Sequence, residues 1–233
     1  MRLSRRQFIG SATLTVAGRN LLVAQTGSSK PSAPVPSRSL GSTGLKTSIL
    51  GVGGYHLGSA AGQDEVDRIV GMAIDAGINF FDNAWEYHQG SSEERLGTAL
   101  RGKRDQVILM TKVCTHGRDK STAMQMLEES LKRLRTDHLD IWQIHEVVYE
   151  NDPDLIFRPN GAAEALAQAK KDGKVRFVGF TGHKDPSIHL KMLSSNSPSI
   201  RCRCHSTAWM RPSGASSNRF CPRQTGAAWR RLV

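Results

Sequence analysis

The sequence is poor in cysteine where cysteine would build structure, and it has no acid at either end. Three of its four cysteines (Cys202, Cys204, Cys221) crowd into segment 199–233, leaving Cys114 alone in the body. That distribution excludes a disulfide framework, and Cys202-Arg-Cys204 is too short for the usual two-residue spacing of zinc ligands, so no metal is expected. No acidic residue occurs before Asp64 or after Asp185. Nor is there an uninterrupted apolar run of the roughly 18 residues that a membrane helix needs, which excludes a stable membrane span.

The missing acids explain the net charge of +11. Residues 1–38 hold six cations and residues 199–233 seven arginines, so the body between them sets 19 cations against all 21 acids. A nearly neutral body has no basic binding face, and no nucleic-acid partner is expected. A basic tail touching nucleic acid or anionic lipid would rest on 199–233 alone.

The N-terminus reads as an address. Ser4-Arg5-Arg6-Gln7-Phe8-Ile9-Gly10, followed by a mildly apolar stretch to Ala24, resembles a twin-arginine export signal. It implies the twin-arginine export machinery as a partner and a periplasmic or exported location. Arg19 and Asn20 interrupt the apolar run, and the alternative is a basic leader on a cytoplasmic protein. Thr26 to Ser37, rich in Ser and Pro with one Lys, reads as a flexible linker. Three segments are therefore expected: 1–37, signal and linker; 38–198, the folded body; 199–233, a basic, disordered tail.

From Ser39 the pattern is regular. Apolar residues flank Gly41-Ser42-Thr43-Gly44, as in a short hairpin. Ser48 to Val52 reads as a first strand ending in Gly53-Gly54, where backbone must approach something closely. Val66, Ile69, Val70, Ala73 and Ile74 share one helix face that Gly77 terminates. Further strands are predicted near 78–82, 106–112, 138–144 and 175–180, with helices near 92–101, 121–135, 161–172 and 185–194. Apolar strands alternating with helices imply a parallel sheet covered by helices. Gly51-Val52-Gly53-Gly54-Tyr55-His56 lacks the later glycine of a dinucleotide-binding phosphate loop, so a (β/α)8 TIM-barrel type is expected rather than a doubly wound sheet. It is an incomplete barrel, with about five βα units and an N-terminal hairpin.

Four polar residues sit at or just after successive strand ends: Asp82 and Tyr87, Lys112, and His145. In a barrel those ends form one rim, where functional groups gather. A tyrosine is a better general acid if its pKa, normally about 10, is lowered, and a neighbouring ammonium such as Lys112 does that. Asp82 would hold the lysine, and His145 would donate to a carbonyl oxygen. A carbonyl so polarised accepts hydride, which no side chain supplies, so a nicotinamide cofactor is implied.

Leu40-Gly-Ser-Thr-Gly-Leu-Lys, Leu50-Gly-Val-Gly-Gly, Gly77-Ile-Asn-Phe-Phe-Asp82, Tyr87 before Gly90-Ser-Ser-Glu-Glu-Arg-Leu-Gly97, Thr111-Lys112, Leu139-Asp-Ile-Trp-Gln-Ile-His145 and Gly179-Phe-Thr-Gly-His183 resemble the aldo-keto reductases. The resemblance runs in family order over about 38–196. It implies NADPH-dependent reduction of a small-molecule carbonyl, with NADH not excluded, and places Asp82, Tyr87, Lys112 and His145 at the positions of the family's catalytic tetrad. It also implies cofactor contacts at Gly53 and Gly54 and at Thr181, Gly182 and His183, although Thr181-Gly182 stands where the family often has Ser-Asn. A branch of the family with an iron–sulfur module carries a similar Gly-Phe-Thr-Gly-His, but the cysteines it needs are absent.

After Pro198 the alternation stops, and Arg, Ser, Cys and Trp dominate. This is the mixture expected of a GC-rich gene read in the wrong frame. Written with permitted codons and read one base earlier, Ser199–Arg211 can spell Phe-Asp-Pro-Val-Gln-Met-Pro-Leu-Asn-Cys-Met-Asp-Ala, which looks like the family's sixth strand. A shifted frame would leave the barrel open and the cofactor site short of its later loops. Two function classes follow: a carbonyl-reducing oxidoreductase, or a non-catalytic remnant of one.

Overall fold

The computed structural model describes residues 33–41, 43–114, 116–195 and 203–204. The export signal with Arg5 and Arg6 lies outside the described residues. So does most of the linker, and so does the basic tail apart from Arg203 and Cys204. No helix among the described residues is long and apolar enough to cross a membrane.

The described chain opens with the predicted hairpin, β1 (Ser37–Ser39) antiparallel to β2 (Lys46–Ser48). Gly41 and Gly44 take its turn at φ 52° and 75°, which L side chains rarely adopt. There follow β3 (Gly51–Gly53), α1 (Gly54–Gly58), α2 (Gln63–Asp75), β4 (Phe80–Asp82), a 3-10 turn at Tyr87–Gly90, α3 (Ser91–Ala99), β5 (Ile108–Val113), α4 (Lys120–Leu134) and β6 (Leu139–Ile144). The series continues with α5 (Asp152–Phe157), α6 (Ala162–Lys171), β7 (Val175–Phe180), α7 (Pro186–Ser194) and a two-residue β8 (Arg203–Cys204).

Strands β3 to β8 form one parallel sheet in chain order. A doubly wound sheet reverses its order at a switch point, whereas a (β/α)8 barrel adds each strand beside the last. The observed order is the barrel's, carried through six strands among the described residues. Five strands are expected from the sequence before residue 198, and β8 adds a short sixth beside β7.

Every residue of β5 and β6 is buried, so neither strand shows the alternation of a half-exposed sheet. Ile108, Met110 and Ile141 pack on one side with Leu45 of the hairpin, while Leu109, Val113, Trp142 and Ile144 pack with Leu127, Leu131 and Leu166 of the helices. Two details differ from the sequence expectation. The first parallel strand starts at Gly51 rather than Ser48, because Ser48 belongs to β2 and donates its backbone N–H to the Asn79 side chain at 2.8 Å. The short helices α1 and α5 carry too few apolar positions to show a period.

Candidate active site

Parallel pairing puts the ends of β4, β5 and β6 on one rim. Beyond Asp82 the chain stays alongside β5, with Asn83 N donating to Met110 O at 2.8 Å and Trp85 N to Lys112 O at 3.0 Å. This carries Tyr87 over Lys112. The loop is held from outside by Arg133 of α4, whose Nη1 donates to Trp85 O at 3.0 Å while its guanidinium stacks 5.0 Å from the Trp85 ring centroid. Trp85 Nε1 donates to Glu129 Oε2 at 2.8 Å. Gly90 ends the turn at φ 90°, which L side chains rarely adopt, and a Cβ there would displace the Arg133 guanidinium, whose carbon would lie 2.5 Å away.

The four predicted residues come together. Lys112, only 3% exposed, donates to Asp82 Oδ1 and, at 2.7 Å, to Asn83 O. Its Nζ sits 5.1 Å from the Tyr87 ring centroid. The ring of His145 meets Tyr87 edge-on at 5.7 Å and 74°.

Two neighbours escaped the sequence reading. Glu86 pairs through Oε1 with His145 Nδ1, and its Oε2 is buried with no hydrogen-bond partner among the described residues. Tyr55 of α1, itself exposed, meets Tyr87 edge-on at 5.5 Å. Its place beside Gly53-Gly54 was the one available signal, whereas nothing in the spacing of Glu86 and His145 ties them together.

One expectation is corrected. Lys112 was expected to draw the Tyr87 phenol down, but the phenol is held above its ordinary value. Burial is the main cause, followed by the negative charges of Asp82, Glu86 and Glu146. The lysine's hydrogen bonds are spent on Asp82 and the Asn83 carbonyl, and its charge faces the ring. The sign of the linkage is then fixed. The unfolded phenol ionises near its ordinary value of about 10 while the folded one stays neutral, so stability falls as pH rises past that point. Denaturant midpoints of the wild type should drop between about pH 9 and 11 more than those of Tyr87→Phe. Parallel curves for the two proteins would contradict the shift.

The residues expected at the cofactor lie on the same side of the fold. A Cβ on Gly53 would meet no described residue within 4 Å, whereas one on Gly54 would run into the Asn83 carboxamide at 2.6 Å. Gly182 is pressed against the His189 ring and the Val147 carbonyl, and His183 is exposed. Packing alone therefore requires Gly54 and Gly182. Thr181 accepts from Val147 N at its carbonyl (2.7 Å) and from Glu146 N at its hydroxyl (3.0 Å). Gln143, in register with Lys112 and Gly179, has a buried Oε1 with no hydrogen-bond partner among the described residues.

Residues 49–208 match the pattern of the aldo/keto reductase family. The chain belongs to that family. It is 34% identical over 157 residues to aldo-keto reductase YhdN of Bacillus subtilis, a match covering 61% of this chain and 46% of that protein. It is 36% identical over 155 residues to L-galactose dehydrogenase of Arabidopsis thaliana, covering 62% and 48%. The chain thus spans about half the length of the curated relatives it matches. Among solved structures, the holo form of an aldo-keto reductase from Bacillus halodurans superposes with a TM-score of 0.59 at 30% identity, covering 70% of this chain and 55% of that one. An aldo/keto reductase of Klebsiella pneumoniae in complex with NADP and acetate superposes at 0.53 with 27% identity, covering 64% and 50%. The fold is the (β/α)8 type of these neighbours, and the chemistry of the family is oxidoreduction.

Proposed function

We propose that this aldo/keto reductase reduces aldehydes or ketones with NADPH. The observation that carries the reading is the convergence of Lys112 and His145 on the Tyr87 ring at one end of the parallel sheet. Tyr87 gives its phenolic proton to the carbonyl oxygen. His145 directs a ring N–H at the same oxygen and so orients the carbonyl. Lys112 keeps a positive charge beside the ring as the proton leaves, and Asp82 fixes Lys112 in place.

The residues present fit the nicotinamide end of the cofactor. An exocyclic amide needs both an acceptor and a donor, and the buried Oε1 of Gln143, without a partner among the described residues, and the Thr181 hydroxyl offer one each. No described residue lies within 4 Å of where a Cβ on Gly53, at the end of β3, would stand. Bound there, the cofactor supplies the hydride. Gln143, Thr181 and Gly53 would hold it, and NADH would serve the same chemistry.

The alternative reading is a non-catalytic remnant of such an enzyme. Cofactor fluorescence and steady-state oxidation of NADPH with simple aldehydes, on the full chain, separate the two. Binding with turnover supports the reductase, and loss of both supports the remnant.

A further inference from the structure

Behind the rim lies an ion pair that neither the tetrad nor the sequence motifs account for. Arg118, in the loop before α4, is 7% exposed, and Asp152, at the start of α5, is 3% exposed. Arg118 Nε donates to Asp152 Oδ1 at 3.1 Å. The remaining bonds of the pair go to the backbone of one segment. Arg118 Nη2 donates to His145 O and to Glu146 O, each at 3.0 Å, and Asp152 Oδ2 accepts from Val148 N at 2.8 Å and Tyr149 N at 2.9 Å.

We propose that Arg118, locked to Asp152, is a positioning residue that sets where His145 stands relative to Tyr87. The proposal rests on the reductase reading above. His145 N still donates to Val113 O of β5 at 2.9 Å, but from Glu146 to Tyr149 the chain has no regular structure of its own, so the path beyond His145 depends on other contacts. Glu146 holds φ 49°, a left-handed value that a side chain disfavours and that persists only where the surroundings impose it. The Arg–Asp pair supplies that constraint on one side, and Thr181, bonded to Glu146 N and Val147 N, supplies it on the other. Arg118 is itself anchored away from the rim, since its carbonyl accepts from Ala162 N at 2.8 Å and its neighbour Asp119 bridges Gly161.

A planar guanidinium makes all three of these bonds from a fixed fork. A lysine ammonium in the same place is a point charge on a flexible stem, and it cannot reproduce the fork. The pair therefore acts on the reaction through His145, and a misplacement of order 1 Å at such a group costs up to about a hundredfold in rate.

The test uses Arg118→Lys in the full chain, with Asp152→Asn alongside as a nearly isosteric variant should the first not fold. The ring resonances of His145 are followed by NMR, assigned by their loss in His145→Gln, together with kcat and the dissociation constant for NADPH. The expected result is a shift of the His145 ring signals and about a tenfold fall in kcat. NADPH affinity should stay within about twofold, and adding Arg118→Lys to His145→Gln should change kcat by less than about twofold, as expected when two residues act through one another. Unmoved ring signals overturn the proposal, and so does a full additional loss in the His145→Gln background. If the wild type proves inactive, the reductase reading fails on its own, and the NMR arm alone decides this proposal.

Discussion

Tyr87→Phe is expected to lower kcat for aldehyde reduction by about 10²–10⁴-fold, the usual contribution of a positioned general acid, while cofactor binding and stability at neutral pH stay close to wild type. The substitution keeps the ring, and the ring makes the contacts: Tyr55 and His145 meet it edge-on, and the Lys112 ammonium sits over it. The hydroxyl makes no hydrogen bond to any described residue, so its removal strands no partner. What is lost is the proton. With the phenol pushed up by burial and by three carboxylates, that proton is present at every pH at which the protein would work, and none of the wild-type rate should depend on ionising Tyr87. A variant within about threefold of wild type would mean that another group, His145 first among them, gives the proton.

How much of this was legible in the sequence depends on the length scale of the cause. The strands from β4 to β7 were readable because each is a short apolar run between helical patterns, and the rim followed from their being parallel. Asp82, Lys112 and His145 could therefore be placed together before any contact was known. Glu86 could not. It lies one residue before Tyr87 and bonds to a histidine 59 residues away, through a loop whose path is set by Arg133 and by left-handed backbone at His88 and Gln89. Arg118 was hidden for a similar reason, because Asp152 lies 34 residues further on and its other partners are backbone carbonyls, which every residue has. The effect of Lys112 on Tyr87 is not legible in the sequence, which names a charge but not the groups already bonded to it. Short elements escaped as well, since α1 has five residues, two of them glycine.

The base of the sheet offers the contrast that tests this division. Asp140 lies near the start of β6, five residues before His145, which is roughly 16 Å along a strand. Its carboxylate, only 5% exposed, bonds Arg104 Nη2 at 3.0 Å, Arg176 Nη1 at 2.7 Å and the backbone N–H of Leu109 at 3.0 Å. Asp140→Ala removes all three bonds at once. Arg176, half exposed, can turn to water, but Arg104 is largely covered and the Leu109 amide is buried inside β5. Breaking a buried pair by removing one partner typically costs about 3–5 kcal/mol. A comparable loss is expected here in urea unfolding, a large share of the roughly 5–15 kcal/mol that hold a domain together. Because the rim is built at the other end of the strands, the fraction that remains folded should keep its turnover within about twofold. A variant that unfolds as the wild type does would show that the two arginines and the amide are solvated without Asp140. One that stays folded but loses turnover would show that the base of the sheet reaches the rim through β6, and the separation of a structural end from a chemical end would then be wrong for this chain.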